Sequence, residues 1–216
     1  MVHEIKPYVE YTVFFNTDNI SFGSIPSAEL LKVLSNGRQS GVLLEYDVAA
    51  RFFNLSKEGC GQGDGPDLML KAETENYKVQ CKTARLYTSK GNIRGEKANI
   101  GHITKSCLWD KTRGKELEES IWDDTHNSYF ASYDYFMFID ISCFPQGFYR
   151  VLTVPTKELE GHPSIAFQQN IYHFGKSSRK KIVASSPPTC WNYPIQLTTD
   201  MWITWTESKE EIYEQC

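Results

Sequence analysis

The sequence predicts an α/β fold in which helices cover a central sheet, and three stretches carry this prediction. The first is residues 134–141, a nearly continuous apolar run rich in aromatic and β-branched side chains. Such runs are typical of a strand buried on both faces, at the centre of a sheet. The second is a helix over about residues 40–55, and the third is a hairpin over residues 67–82. Together they predict a helix and a hairpin beside one buried strand.

The composition narrows the class of protein. A chain of 216 residues suits one domain and is long enough to bury most of its apolar surface. Its six cysteines stand singly, with no CxxC pair and no zinc-type Cys/His spacing, which favours reduced thiols in the cytoplasm. The first ten residues contain acids, which is not typical of a secretory signal peptide. No apolar run approaches the roughly 18 residues that span a bilayer. We therefore expect a cytoplasmic protein with no membrane partner and no soft-ligand metal site.

Two further elements are predicted before the helix over residues 40–55. Alternating apolar residues over 8–15 favour a strand. Ser27 is a suitable N-cap for a helix that ends near residues 35–37, where Ser, Asn and Gly follow one another. The sequence assigns no role to residues 1–26 beyond the strand over 8–15.

Glu45 interrupts the apolar side of the helix over residues 40–55. On a helical wheel it falls in the middle of the apolar face, whereas Asp47 lies outside that face. A buried carboxylate is costly unless it is paired or bound to a cation. We therefore expect Glu45 to meet a bound cation, the alternatives being a short offset of the helix or an arginine partner such as Arg51 or Arg85.

The hairpin brings polar residues to one edge. Its strands are predicted over residues 67–70 and 77–82, and a strand period of two places Gln80 and Lys82 on the same side. Asp67, at the start of the first strand, then meets both of them. The loop before the hairpin is rich in glycine, which indicates a flexible loop. It is not a phosphate-binding P-loop, because no Gly-Lys-Ser/Thr follows. This layout is typical of a divalent-metal site with a lysine beside it, the alternative being a solvated hairpin.

Positive charge is concentrated after the hairpin. Residues 78–115 contain ten basic residues against two acids, a net of +8, so the remainder must carry −12 of the total of −4. Such a segment can offer a positive groove to a polyanion, although it can also be an ordinary solvated loop. The candidate contacts to nucleic acid in this segment and in a second basic cluster are Lys90, Asn92, Arg94, Lys97, His102, Lys105, Arg179, Lys180 and Lys181.

Over about residues 40–141, this order of features resembles the PD-(D/E)XK nuclease superfamily, which includes many type II restriction endonucleases. The features are the helix with Glu45, the Pro66-Asp67 pair, Gln80 and Lys82 on the second strand, a helix-forming stretch over 115–121, and the apolar strand. The resemblance implies a restriction-endonuclease-like αβββαβ core, a mixed central sheet flanked by helices, with additional C-terminal elements.

The resemblance also implies roles for individual residues. Asp67 matches the family's metal-binding Asp, Lys82 matches its Lys, and Glu45 resembles the helix acid of many members. Gln80 stands where the second acid is usual. An amide oxygen is a weaker ligand than a carboxylate, but a QxK form is familiar among Mrr-type restriction enzymes. A displaced carboxylate from Glu73 or Glu75 in the turn is the alternative.

The implied cofactor is Mg²⁺, with Mn²⁺ as a substitute. Asp67, Gln80, Glu45 and the backbone carbonyl of Cys81 would hold the ion, which prefers oxygen ligands. Lys82 would orient or deprotonate the attacking water and stabilise the transition-state charge. In the family, the products are a 5′-phosphate and a 3′-hydroxyl.

The function implied is a magnesium-dependent type II restriction endonuclease that cuts double-stranded DNA as a homodimer on a short palindrome. The chain is interpreted as one nuclease domain over 1–216, with a core over about 40–155. Residues 156–216 would then serve DNA contact or dimerisation. Two alternatives remain open, a structure-selective resolvase or repair nuclease of the same fold, and a non-catalytic DNA-binding protein that has lost the second metal-binding acid.

Overall fold

The computed structural model describes residues 3–16, 23–34, 37–57, 65–86, 98–106, 131–159, 190–197 and 199–213, with only the backbone described over 98–106 and 190–196. The helices in these ranges are α1 (Ser27–Leu34), α2 (Gly37–Arg51) and α3 (Thr199–Trp205). The strands are β1 (Val9–Phe14), β2 (Leu55–Ser56), β3 (Leu68–Lys71), β4 (Asn76–Ala84), β5 (Ala98–Ser106), β6 (Tyr135–Asp140), β7 (Phe148–Pro155), β8 (Cys190–Leu197) and β9 (Ser208–Ile212).

Seven of these strands form one mixed sheet in the order β2-β3-β4-β6-β7-β1-β9. Within it, β4 and β6 are parallel, as are β1 and β9, while the other neighbours are antiparallel. The strands β5 and β8 pair separately as an antiparallel ribbon. The chain is therefore an α/β protein with a mixed sheet, which confirms the fold class expected from the sequence at this level.

The strand β6 occupies the middle of the sheet, between β4 and β7. Its residues Phe136 to Ile139 are completely inaccessible to solvent. Burial on both faces explains why residues 134–141 are almost continuously apolar. The predicted central strand is thus confirmed, and β7 is its antiparallel neighbour.

The helix α2 covers one face of the sheet. Leu44 and Val48 of α2 belong to the same buried cluster as Val79 and Cys81 of β4. Because side chains alternate along a strand, Gln80 and Lys82 project from the opposite face of β4. The helix α2 therefore lies on one face of β4, and Gln80 and Lys82 lie on the other.

The helix α3 supplies two tryptophan side chains that contact strands β6 and β1 of the sheet. The Trp205 ring stacks on Phe138 with a centroid distance of 6.0 Å. Nearby, the indole Nε1 of Trp202 donates a hydrogen bond to buried Glu10 of β1. The strand β9 then joins β1 in parallel. Residues 199–213 thus complete the seven-stranded sheet and its packing.

The boundaries of α2 differ from the predicted range of 40–55. The helix begins at Gly37 and ends at Arg51. Phe52 leaves it to form a bridge with His3, and Leu55 pairs with Leu70 as part of β2. Long-range pairing therefore ends the helix, which local apolar periodicity cannot reveal. The helix-forming stretch over 115–121 lies outside the described residues.

A buried carboxylate joins the ends of three strands. Asp140, which is 1 % exposed, accepts hydrogen bonds from the backbone N–H groups of Leu86 and Ser142, each at 3.1 Å. It also accepts from the Ser142 hydroxyl and from the Arg150 guanidinium. Four donors from separate segments compensate its desolvation, so Asp140 ties β6 to β7 and to the chain leaving β4.

A search of the described helices finds none that combines the length and the apolar character needed to cross a bilayer.

Candidate active site

Asp67 lies immediately before β3 and is fixed by hydrogen bonds to its backbone and to its carboxylate. Its backbone N–H donates to the Val79 carbonyl at 3.0 Å, as an extension of the β3 and β4 pairing. Its carboxylate oxygen Oδ2 accepts from the Cys81 backbone N–H at 2.8 Å and from the Gln80 side-chain amide. Within the described part of the chain, the other oxygen, Oδ1, has no hydrogen-bond partner. The carboxylate is thus oriented through one oxygen and leaves the other available.

Gln80 and Lys82 enter the site from β4. The Gln80 side chain is nearly buried and uses its amide nitrogen, rather than its oxygen, toward Asp67. Lys82 makes no hydrogen bond among the described residues, and its contact with the acids is electrostatic. Burial lowers the pKa of Lys82, and the negative charges of Asp67 and Glu45 oppose this shift. A lysine in this state exchanges a proton more readily than a solvated one.

Glu45 lies at the flank of the buried face of α2 rather than in its middle. Leu44 and Val48 are buried, whereas Val42 and Tyr46 are more than half exposed. The helical wheel includes Val42 in the apolar face, on which Glu45 would be central. In the structure, however, the Val42 side chain is exposed. The shift places the Glu45 carboxylate near the sheet edge, where it reaches the site of Asp67.

The partner of Glu45 is Lys57, which the sequence did not single out. The Lys57 ammonium donates to Oε2 of Glu45 and, at 3.3 Å, to the backbone carbonyl of Asp67. Its position follows from the antiparallel pairing of β2 and β3, in which Ser56 lies opposite Met69. Recognising β2 as a third strand of the hairpin would have placed Lys57 beside Asp67.

The charges of this group are coupled. Burial raises the pKa of Glu45, and the hydrogen bond from Lys57 only partly opposes that increase. Burial lowers the pKa of Lys57, but the hydrogen bond to Glu45 and the charges of Glu45 and Asp67 outweigh it, so the net change is upward. Burial also raises the pKa of the Cys81 thiol well above its usual value. In the Glu45–Lys57 pair the proton therefore stays on Lys57, and Cys81 remains a neutral thiol.

Arg51 does not pair with Glu45, and the acids of the hairpin turn do not lie beside Asp67. Arg51 pairs with Asp47, at 2.8 Å between Nε and Oδ2, and the buried Tyr149 hydroxyl donates to the same carboxylate oxygen. Asp47 therefore anchors α2 to β7. Glu73 and Glu75 are exposed in the turn at the opposite end of the hairpin from Asp67. Neither of these two acids can replace the carboxylate that is missing at residue 80.

The donors in this group suit a hard cation in chemical type. Asp67 and Glu45 offer carboxylate oxygens and Gln80 an amide oxygen, which are ligands that Mg²⁺ prefers. The backbone carbonyl of Cys81 projects to the same side of β4 as its N–H, toward Asp67. The described residues contain no group of three His, Cys, Asp or Glu side chains placed to bind a metal. An ion would therefore depend on two acids and neutral oxygens, with the Gln80 amide turned over.

The candidate DNA contacts are mostly beyond the described ranges. His102 and Lys105 lie on β5, opposite Pro194 and Trp191 of β8. The structure gives only the backbone for these two residues. The remaining candidates lie outside the described residues, and they are Lys90, Asn92, Arg94, Lys97, Arg179, Lys180 and Lys181.

Comparison of the chain with protein-family models, with curated proteins and with solved structures finds no match. Function is therefore inferred from the chemistry of the site and the topology of the sheet.

Proposed function

We propose that the chain is a magnesium-dependent endonuclease that hydrolyses phosphodiester bonds of double-stranded DNA. The observation that carries the proposal is the meeting of Asp67 and Gln80 at the open end of the hairpin. The charges of Glu45 and Lys82 act on this point from α2 and from β4. Two carboxylates, an amide and a partly desolvated lysine at one edge provide both a hard-cation site and a proton acceptor.

The order of elements around the site supports the same proposal. The helix α2 is followed by β2, β3 and β4, which pair successively in antiparallel fashion. The chain later returns as β6, parallel to β4. A helix, an antiparallel meander and a parallel return strand are the order of elements that the proposed αβββαβ core requires, which supports the proposal. The place of its second helix falls on residues outside the described ranges.

The residues would divide the work as follows. A bound magnesium ion supplies positive charge beside the scissile phosphate. Asp67, held through Oδ2 by Cys81 N–H, presents Oδ1 as a ligand. Lys82, whose pKa burial lowers, orients the attacking water and accepts its proton or stabilises the phosphate charge. Glu45 adds the negative charge that Gln80 does not provide.

The restriction type is proposed from the length of the chain beyond the core. The elements after β6 exceed what a minimal resolvase of this fold needs, which favours a sequence-reading or dimerising function. A homodimer on a short palindrome would place one site on each strand. A structure-selective resolvase or repair nuclease is separated from this proposal by its preference for branched substrates over linear duplex.

The test is cleavage of unmethylated plasmid and phage DNA by the purified chain, with Mg²⁺ and with EDTA. Discrete fragments that require Mg²⁺ or Mn²⁺ are the expected result. Fragment ends should carry a 5′-phosphate. Absence of cleavage with every divalent ion, by protein that still binds the DNA, would reject the nuclease proposal.

That outcome is the second candidate, a DNA-binding protein without catalysis, and two contacts favour it. Gln80 gives its amide nitrogen to Asp67, and Lys57 already neutralises Glu45. Both contacts stabilise the site without a metal ion. A binding-only protein would show the same DNA affinity in Mg²⁺ and in EDTA at equal ionic strength.

The substitution Gln80→Glu should make the stability of the chain depend strongly on metal. In EDTA, a second carboxylate replaces the amide donor beside Asp67, and we expect a loss of about 1 to 3 kcal/mol in the free energy of unfolding. With Mg²⁺, the added charge strengthens the ion site, so the loss should be reversed. Thermal unfolding with and without Mg²⁺ measures both effects.

The matched control for Gln80→Glu is Asn76→Asp, which makes the same amide-to-acid change at an exposed position of β4. It should unfold as wild type does in both conditions. If Gln80→Glu gained no more stability from Mg²⁺ than wild type and Asn76→Asp do, residue 80 would not be a metal ligand.

A further inference from the structure

Lys57 holds a position that the motif of the hairpin does not account for. Its ammonium contacts Oε2 of Glu45 and the backbone carbonyl of Asp67, so it links the carboxylate of one proposed metal ligand to the main chain of the other. The side chains of Lys57 and Glu45 are only 18 % and 12 % exposed. The pair is therefore largely removed from solvent, and the ammonium cannot be regarded as a surface counterion.

Lys57 offsets part of the negative charge of the site. Glu45 and Asp67 are the two acids of the proposed ion site, and the Lys57 ammonium pairs directly with Glu45. A divalent cation is attracted less strongly to a carboxylate that already has an ammonium beside it. Without Lys57 the same group would be more negative by one charge. Lys57 thus lowers the attraction of the site for a cation.

We propose that Lys57 is a built-in competitor for the metal, an ammonium that binds the Glu45 carboxylate beside the Asp67 main chain and must release it when a divalent ion binds. This inference rests on the proposed function, because it takes Glu45 and Asp67 as ligands. The consequence is a low intrinsic affinity for the metal, so the site would load only when another source of binding energy, such as the substrate phosphate, is present.

The structure also offers the displaced ammonium a second partner. The Tyr46 ring lies 5.0 Å from the Lys57 ammonium, within the range of cation–π contacts. Tyr46 is 59 % exposed on the outer side of α2. Moving outward across this ring would bring Lys57 toward solvent without breaking β2. The departure of Lys57 therefore requires movement of its own side chain and no change in the backbone.

The test measures metal binding by the full chain without DNA, by isothermal titration with Mn²⁺ and by the thermal shift that Mn²⁺ produces. Lys57→Met should bind Mn²⁺ on the order of tenfold more tightly than wild type, because removal of the ammonium makes the charge of the site more negative. Lys57→Gln keeps a hydrogen-bond donor for Glu45 and should show the same direction if Lys57→Met is too unstable to purify. Lys78→Met, which removes an exposed lysine of β4, should bind as wild type does.

The outcomes separate this inference from the proposed function. Tighter binding by both Lys57 variants, with Lys78→Met unchanged, supports the competitor. Equal or weaker binding by the Lys57 variants, with measurable binding by wild type, overturns the competitor and leaves the metal site standing. If neither wild type nor the Lys57 variants bind Mn²⁺ without DNA, and their thermal unfolding does not respond to it, the competitor is rejected, and the plasmid cleavage assay with Mg²⁺ and EDTA decides the nuclease proposal separately.

Discussion

Substituting Lys82 with methionine is expected to lower the rate of magnesium-dependent DNA cleavage by about 10²- to 10⁴-fold. The reason is that Lys82 is the residue proposed to orient the attacking water and to accept its proton beside Asp67. Burial already disfavours the charged form of Lys82 and lowers its pKa. A methionine of similar length should therefore preserve the stability of the fold while removing the chemistry.

The measurement is a single-turnover cleavage assay combined with urea unfolding of the same preparations. Lys71→Met is the matched control, since Lys71 is exposed on β3, the partner strand of the hairpin. The control should cut and unfold as wild type does. Cleavage by Lys82→Met at the wild-type rate would remove Lys82 from the site, and equal loss in both variants would point to a general effect of charge on DNA binding.

The second large effect is expected at Asp140, away from the candidate site. Asp140→Asn should reduce the free energy of unfolding by about 3 kcal/mol, because it leaves the Arg150 guanidinium without its countercharge in a largely buried position. Asp140 is inaccessible in its side chain and Arg150 is 15 % exposed, so solvent can replace little of the lost interaction. Urea unfolding at neutral pH measures the change.

The double variant Asp140→Asn/Arg150→Met tests the physical reason. Removing both charges should recover part of the stability, since the uncompensated guanidinium is the main cost. Asp200→Asn, at an exposed position in the first turn of α3, should change stability by less than about 1 kcal/mol. A double variant less stable than Asp140→Asn alone would show that Arg150 has a separate structural role.

Several features of this protein follow from local sequence. The strand β6 is recognisable because a strand buried on both faces must be apolar at every residue, and residues 136–139 are. The hairpin is recognisable because Pro66 and Asp67 precede an apolar run and a polar turn separates it from β4. The period of two then places Gln80 and Lys82 on one side of β4. Each of these patterns depends on neighbours in sequence.

Other features depend on which distant segments meet. The sequence suggested arginine or a bound cation as the partner of Glu45, whereas the structure has Lys57, brought there by the pairing of β2 with β3. A strand of two residues leaves too short a pattern to recognise, so this pairing is invisible locally. The same holds for Asp140 with Arg150 and for the parallel pairing of β9 with β1.

The sequence by itself therefore determined the central strand, the hairpin and the residue types at its open end, since these depend on local periodicity and turn chemistry. Only the tertiary structure decided the electrostatic balance at that end. Glu45 lies at the flank of α2, and Lys57 stands between it and Asp67. The physical reason is that the charge of a site is the sum over segments far apart in the chain, and sheet pairing alone determines which of them come together.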